Sequence, residues 1–179
     1  MASRPEPDLR TARLRLSVFT ADDVDALTGL FGDADVRRYL SVGDLTRDDA
    51  RRFATEFVRQ TADEMREAGY AALAVRRGDG GQALGYCGLR PLPDRITAAE
   101  LVYALSPPYW HQGLTREAVA AVLEWAESLQ GLKEVLSMTR PEHRRSRAVM
   151  AACGLTYAGE TSRYYGETLA LYRLRLTPS

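Results

Sequence analysis

The sequence predicts an α/β (α+β) domain in which a mixed sheet carries helices on both faces. Three observations predict it. The apolar period switches repeatedly between two and about 3.6 residues along the chain. The elements follow the order β-α-α-β-β-β-α-β-α-β-β, which gives seven strands. The 179 residues contain no repeat, low-complexity tract or dividing linker, which suits one hydrophobic core.

Residues 1–10 read as a flexible N-terminal arm, given Pro5 and Pro7, and leave 11–179 as a single domain. Ala12, Leu14, Leu16 and Val18 alternate with Arg13, Arg15 and Ser17, the pattern of a half-exposed strand. Thr20 with Asp22 and Asp23 starts a helix, because a hydroxyl cap and acidic residues suit its positive end. Val24, Leu27, Leu30 and Phe31 form its apolar stripe. Thr46 with Asp48 and Asp49 repeats the signal, and Ala50, Phe53, Ala54, Phe57, Val58 and Thr61 continue it to near Met65.

Tyr70 to Val75, a Gly- and Asp-rich turn at 76–81, and Ala83 to Leu89 read as a hairpin. Ala98 to Leu105 is a further strand, closed by Pro107 and Pro108. A helix over 115–129 places Leu114, Ala118, Val122, Trp125 and Leu129 on one face. Glu134–Met138 is a short strand, and Ser146–Cys153 a short helix stopped by Gly154. Two last strands, Thr156–Tyr164 and Thr168–Leu176, turn at Gly166.

Composition excludes several functions. The 24 basic residues are balanced by 24 acidic ones, so the basic excess of a nucleic-acid binder is missing. No apolar run approaches the ~18 residues that span a bilayer, and MASRPEPDLR does not read as a signal peptide. Cys87 and Cys153 make neither a disulfide framework nor a metal-ligand spacing; they read as buried thiols in a reducing cytoplasm, with no metal expected.

The juncture that carries chemistry is the strand 98–105, then Pro107-Pro108, then the turn 110–114, then the helix from 115. A helix N-terminus offers unpaired N–H groups and a partial positive charge, which together favour an anion. Gly113 lets a phosphate approach the backbone without a Cβ in the way.

In its wider setting this juncture resembles the GNAT acetyltransferase superfamily, within it the RimJ/RimL-like branch that acetylates ribosomal-protein N-termini. Five segments carry the resemblance in order: TARLRLSVFTADDVDAL, LGYCGLRPL, AAELVYALSPPYWHQGLTREAV, TRPEHRRSRAVMAACGL and TYAGETSRYYGETLALYRLRL. Together they span about residues 11–176. The resemblance implies a mostly antiparallel seven-stranded sheet in which strands 98–105 and 134–138 splay apart. It implies acetyl-CoA as acyl donor. The pantetheine arm would lie along Ala104, Leu105 and Ser106, and the pyrophosphate on His111, Gln112, Gly113, Leu114, Thr115 and Arg116. This chain has His111 and Thr115 where the family has small residues, and His143 where an Asn precedes Ser146 by three.

The same resemblance makes Ser146 a candidate proton donor to the leaving thiol, with His143 either touching the cofactor or capping the helix. Glu100, the only acidic side chain in its strand, is the candidate base; its other reading is a structural hydrogen bond. Arg144, Arg145 and Arg147 approach a 3′-phosphate or form a solvated face, and Tyr164 and Tyr165 line the acceptor pocket or pack in the core.

Transfer to an amine needs that amine neutral. An α-amine (pKa ~7.8) is cheaper to deprotonate than a lysine (~10.4) by about 3.5 kcal/mol. One carboxylate therefore suits a protein N-terminus or a low-pKa small molecule. Monomer and homodimer both fit the sequence, and a CoA-binding sensor whose chemistry has lapsed is the alternative to an enzyme.

Overall fold

A computed structural model describes residues 6–40 and 45–177. Its strands are β1 (Asp8–Arg10), β2 (Leu14–Ser17), β3 (Ala72–Arg77), β4 (Gly80–Leu92), β5 (Arg95–Leu105), β6 (Glu134–Thr139), β7 (Thr156–Thr161) and β8 (Leu169–Arg175). Its α-helices are α1 (Val24–Gly32), α2 (Ala34–Arg37), α3 (Arg47–Ala68), α4 (Leu114–Glu127) and α5 (Arg144–Ala152). The sheet order is β1-β2-β3-β4-β5-β6-β8-β7, and every pair is antiparallel except β5 with β6.

The sheet thus has eight strands rather than the expected seven. The extra one is β1, which lies inside the stretch expected to be a loose arm. Three residues pair with β2, and Arg15 Nε meets Asp8 Oδ1 at 2.6 Å. A strand this short has too few side chains to show a period of two. The turn α2 is also new; Asp33 caps it by accepting from the N–H groups of Asp35 and Val36.

Strand alternation divides the core into two layers. Leu14, Leu16, Leu73, Val75, Cys87, Leu89 and Leu101 pack on one face with Leu114, Ala118, Val119, Val122 and Ala126 of α4. Ala72 and Tyr86 turn to the other face and meet Leu27, Leu30 and Phe31 of α1 and Ala50, Ala54 and Phe57 of α3. Each large aliphatic side chain so buried contributes about 1.5–3 kcal/mol. Helices therefore cover both faces, as the sequence predicts.

The parallel pair β5–β6 is where the sheet opens. Pairing runs only from Ala98–Glu134 to Glu100–Leu136. Beyond it β5 stays with β4 as far as Gly85–Leu105, while β6 follows β8. At Gly85 a Cβ would stand 2.1 Å from the Ala104 carbonyl, so only glycine permits that close approach. Between the diverging strands a cleft forms.

Candidate active site

Three features converge on the cleft, two of the backbone and one of side chains. Ser106 N–H donates to the Leu84 carbonyl, which makes Leu105 opposite Gly85 a pair of the ladder that exchanges no hydrogen bond of its own. The peptide groups of Leu105 and, two residues earlier, Tyr103 consequently point away from β4, toward the gap. Two contacts bear out that alternation: Trp110 Nε1 donates to the Leu105 carbonyl at 2.6 Å, and Ser137 Oγ donates to the Leu101 carbonyl at 2.9 Å. Of the expected trio Ala104, Leu105 and Ser106, then, Leu105 presents its N–H to the cleft. The ladder occupies Ala104, and Leu84 occupies the N–H of Ser106.

The turn into α4 is the second feature. Gly113 adopts φ 75° at the N-cap and supplies no side-chain cap. The first backbone bond of the helix runs from Glu117 N–H to the Gly113 carbonyl, so Leu114, Thr115 and Arg116 keep free N–H groups among the described residues. His111 is the only described non-glycine residue at positive φ, 61°, a conformation costing about 1–2 kcal/mol. The turn is braced from outside. Arg13 donates to the Gln112 carbonyl at 2.8 Å and pairs with Glu117 at 2.6 Å. Gln112 is spent on the scaffold, its Nε2 donating to the Pro108 carbonyl. The Glu117 carboxylate, next to the anion-favouring end, also takes Thr11 Oγ1 and the Arg13 N–H.

A cavity of about 720 Å³ joins these features to the third, a set of side chains. Glu100 lines it and is only 6% exposed. Burial pushes its carboxyl up to about 7, against the lowering effects of a hydrogen bond from Tyr165 and the nearby Arg90 charge. The Tyr165 hydroxyl donates to Glu100 Oε2 at 2.5 Å. Ser146 is buried at the start of α5, and its Oγ lies 2.9 Å from the Tyr103 hydroxyl, which also reaches the Ser146 carbonyl at 3.1 Å. Burial raises the Tyr103 hydroxyl above its ordinary range.

His143 occupies the N-cap position of α5 but its side chain makes no capping bond. Its ring stacks on Tyr39 with centroids 3.7 Å apart, and burial lowers it to about 4, so it is neutral at neutral pH. Arg147 is committed to the Tyr172 hydroxyl and the Pro141 carbonyl, whereas Arg145 and Arg116 line the cavity. Tyr103 and Tyr39 are the side chains that sequence reasoning left without a site role, and of the expected pair Tyr164 and Tyr165 it is Tyr165 that lines the cavity. Tyr165 stands beside an ordinary-looking Tyr164 in a loop, and no local pattern separates them.

An open strand edge, an uncapped helix N-terminus and a buried carboxyl around one cavity suit a bound thioester that carries an anionic tail. Fold and site together suit the class of the acyltransferases. The chain belongs to the GNAT acetyltransferase family, matching the model of the acetyltransferase (GNAT) domain over residues 13–156. It is an acetyl-CoA-dependent N-acetyltransferase.

Among curated relatives it is 28% identical over 165 residues to the FsC-acetyl coenzyme A-N(2)-transacetylase of Aspergillus fumigatus, covering 88% of this chain and 68% of that one. Among solved structures it resembles an acetyltransferase from Agrobacterium tumefaciens (TM-score 0.80, 24% identity, 97% and 96% coverage). It also resembles RimL, a ribosomal L7/L12 alpha-N-protein acetyltransferase in complex with coenzyme A (TM-score 0.73, 15% identity, 93% and 96% coverage). Among the described residues no cluster could hold a metal ion, and no helix is long and apolar enough to cross a membrane.

Proposed function

We propose that the chain acetylates a low-pKa primary amine, a peptide or protein α-amine or a small molecule, by direct attack within a ternary complex. The observation that carries this reading is a buried Glu100 facing the same cavity as the uncapped N-terminus of α4. The N–H groups of Leu114, Thr115 and Arg116 receive the pyrophosphate, with Arg116 and Arg145 beside it, and the open edge at Tyr103 and Leu105 receives the pantetheine arm. His143, stacked and neutral, forms part of the wall along that arm.

Glu100 takes the proton of the amine, directly or through one water. The amine nitrogen bonds to the thioester carbonyl carbon, the C–S bond breaks, and the sulfur leaves with the electron pair. The Leu105 N–H faces the developing oxyanion. Ser146, held by Tyr103, donates to the departing sulfur. An acyl-cysteine route is disfavoured, because burial raises both the Cys87 and the Cys153 thiols.

The test is thiol release from acetyl-CoA with a panel of amines, for the native chain and Glu100→Gln. The variant loses about 100-fold or more in kcat/KM. The fall in rate below about pH 7 that belongs to Glu100 disappears, leaving only the acceptor's own ionisation. Acetyl-CoA binding by calorimetry with no turnover on any amine, native or variant, would instead mean a sensor.

A further inference from the structure

Past Glu100 the cavity opens between α1, α2 and α3, on the sheet face opposite α4. Phe31, Val36, Leu40, Phe53, Phe57 and Tyr86 line it there. The rings form a continuous set: Phe31 meets Phe53 and Phe57 edge-on, with centroids 4.7 and 5.4 Å away, and Phe57 lies tilted against Tyr86 at 4.9 Å. The innermost, Phe31, is 1% exposed, while Phe53 at the mouth is 37% exposed. A phenyl group left open to water at the rim of a pocket gains most from an aromatic or bulky apolar occupant, by area and by ring geometry together.

The charges of this wall add a second constraint. Asp35, Glu56 and Glu100 all line it. Its cations are already engaged: Arg90 with Glu64 at 2.6 Å, and Arg140 with Glu167 and the Arg38 carbonyl. Arg116 and Arg145 lie at the α4–α5 end of the cavity. Glu56 is paired with Arg59, so an acceptor with a free carboxylate beside its amine would meet the Asp35 and Glu100 carboxyl groups and no uncommitted cation among the described residues here. An aromatic group without that carboxylate fits both features.

We propose that the acceptor is a primary amine carried on an aromatic group and bearing no free carboxylate on the amine-bearing carbon. Arylalkylamines and the α-amine of an amide-linked, phenylalanine-like residue share that chemistry. The inference rests on the acetyl transfer in the reading above and not on its low-pKa restriction, since an arylalkylamine is nearly as basic as lysine.

The test compares kcat/KM of the full chain, corrected for the neutral fraction of each amine, for phenylalaninamide, glycinamide, free phenylalanine, 2-phenylethylamine and a phenylalanine-led tripeptide amide. Phenylalaninamide exceeds both glycinamide and free phenylalanine by about tenfold or more. Phe53→Ala collapses the phenylalaninamide-to-glycinamide ratio by a similar factor. Both rates come from one preparation, so any loss of folded protein cancels. Preference for 2-phenylethylamine points to a small-molecule source and preference for the tripeptide to a peptide one; either supports the inference. Equal rates for glycinamide, or for free phenylalanine, overturn it alone. No thiol release with any amine overturns it together with the transferase reading.

Discussion

Asp23 and Glu100 are two buried carboxyl groups with opposite fates. Asp23 is 3% exposed, and burial alone would raise its pKa. Both of its oxygens nevertheless accept from Arg76, at 2.6 and 2.7 Å, and the Thr20 backbone N–H donates to it too, so it titrates below its ordinary range. Glu100 is likewise almost wholly covered, lies deeper in the protein, and has Arg90 directly across the β4–β5 ladder, yet Arg90 spends its bidentate fork on Glu64. Among the described residues only a tyrosine hydroxyl bonds the Glu100 side chain, and burial wins. The difference teaches that a carboxyl group is held high by deep enclosure together with the absence of a dedicated cation, not by coverage alone.

The largest effect follows from breaking the satisfied pair. Asp23→Ala strands Arg76 and lowers stability by about 3 kcal/mol, read by urea denaturation, with the rate per folded molecule unchanged. The two groups also give stability opposite dependences on pH. Asp23, lowered, contributes stability above its unfolded value of 3.8, which is lost as pH falls through its folded value. Glu100, raised, binds a proton in the folded state between 4.5 and about 7, so its contribution to stability declines as pH rises across that window.

The two long helices repeat the contrast at their N-termini. Thr46 and Asp49 close α3 with a capping box, Thr46 Oγ1 accepting the Asp49 N–H at 3.1 Å and Asp49 Oδ2 accepting the Thr46 N–H at 3.1 Å. The turn at Gly113 leaves α4 open. Thr115→Asp places a carboxylate where the anion is proposed to sit and weakens acetyl-CoA binding by about 2 kcal/mol, measured by calorimetry. The same change raises thermal stability slightly, because the added charge suits the helix dipole.

Glu64→Gln sharpens the first comparison. It releases Arg90 toward Glu100 and moves the acid limb of kcat/KM downward from about 7, by roughly one unit, with the plateau rate retained. An unmoved limb would mean that Arg90 stays bound to the scaffold. Smallest is Thr46→Ala, which removes the α3 cap at a cost of about 1 kcal/mol in stability and leaves acetyl-CoA binding untouched.

What could be read in advance was what is local or nearly so. The capping box at Thr46 spans three residues, and the stripes of α3 and α4 follow a fixed period, so both stood out. Glu100 stood out as a lone charge in an apolar strand. The side chains that set its chemistry lie far away in the chain: Tyr165 is 65 residues on, and the Arg13–Glu117 brace of the turn spans 104. No period or motif links such pairs, because only the packing of the sheet brings them together. The short β1 was missed for a different reason, since three residues are too few to show alternation.

The sequence by itself determined the alternating strands, the amphipathic helices, the bare glycine turn before α4 and the carboxyl group one strand earlier. Each depends on spacing along the chain, which the sequence states directly. Tertiary structure decided where β5 leaves β6, that Arg90 is withheld from Glu100 while Arg76 is given to Asp23, and that phenylalanines from α1 and α3 wall the cavity beyond. These depend on which distant groups reach each other first and on how much water is excluded around them. A charge at a given position has no fixed chemistry until its neighbours in space are known.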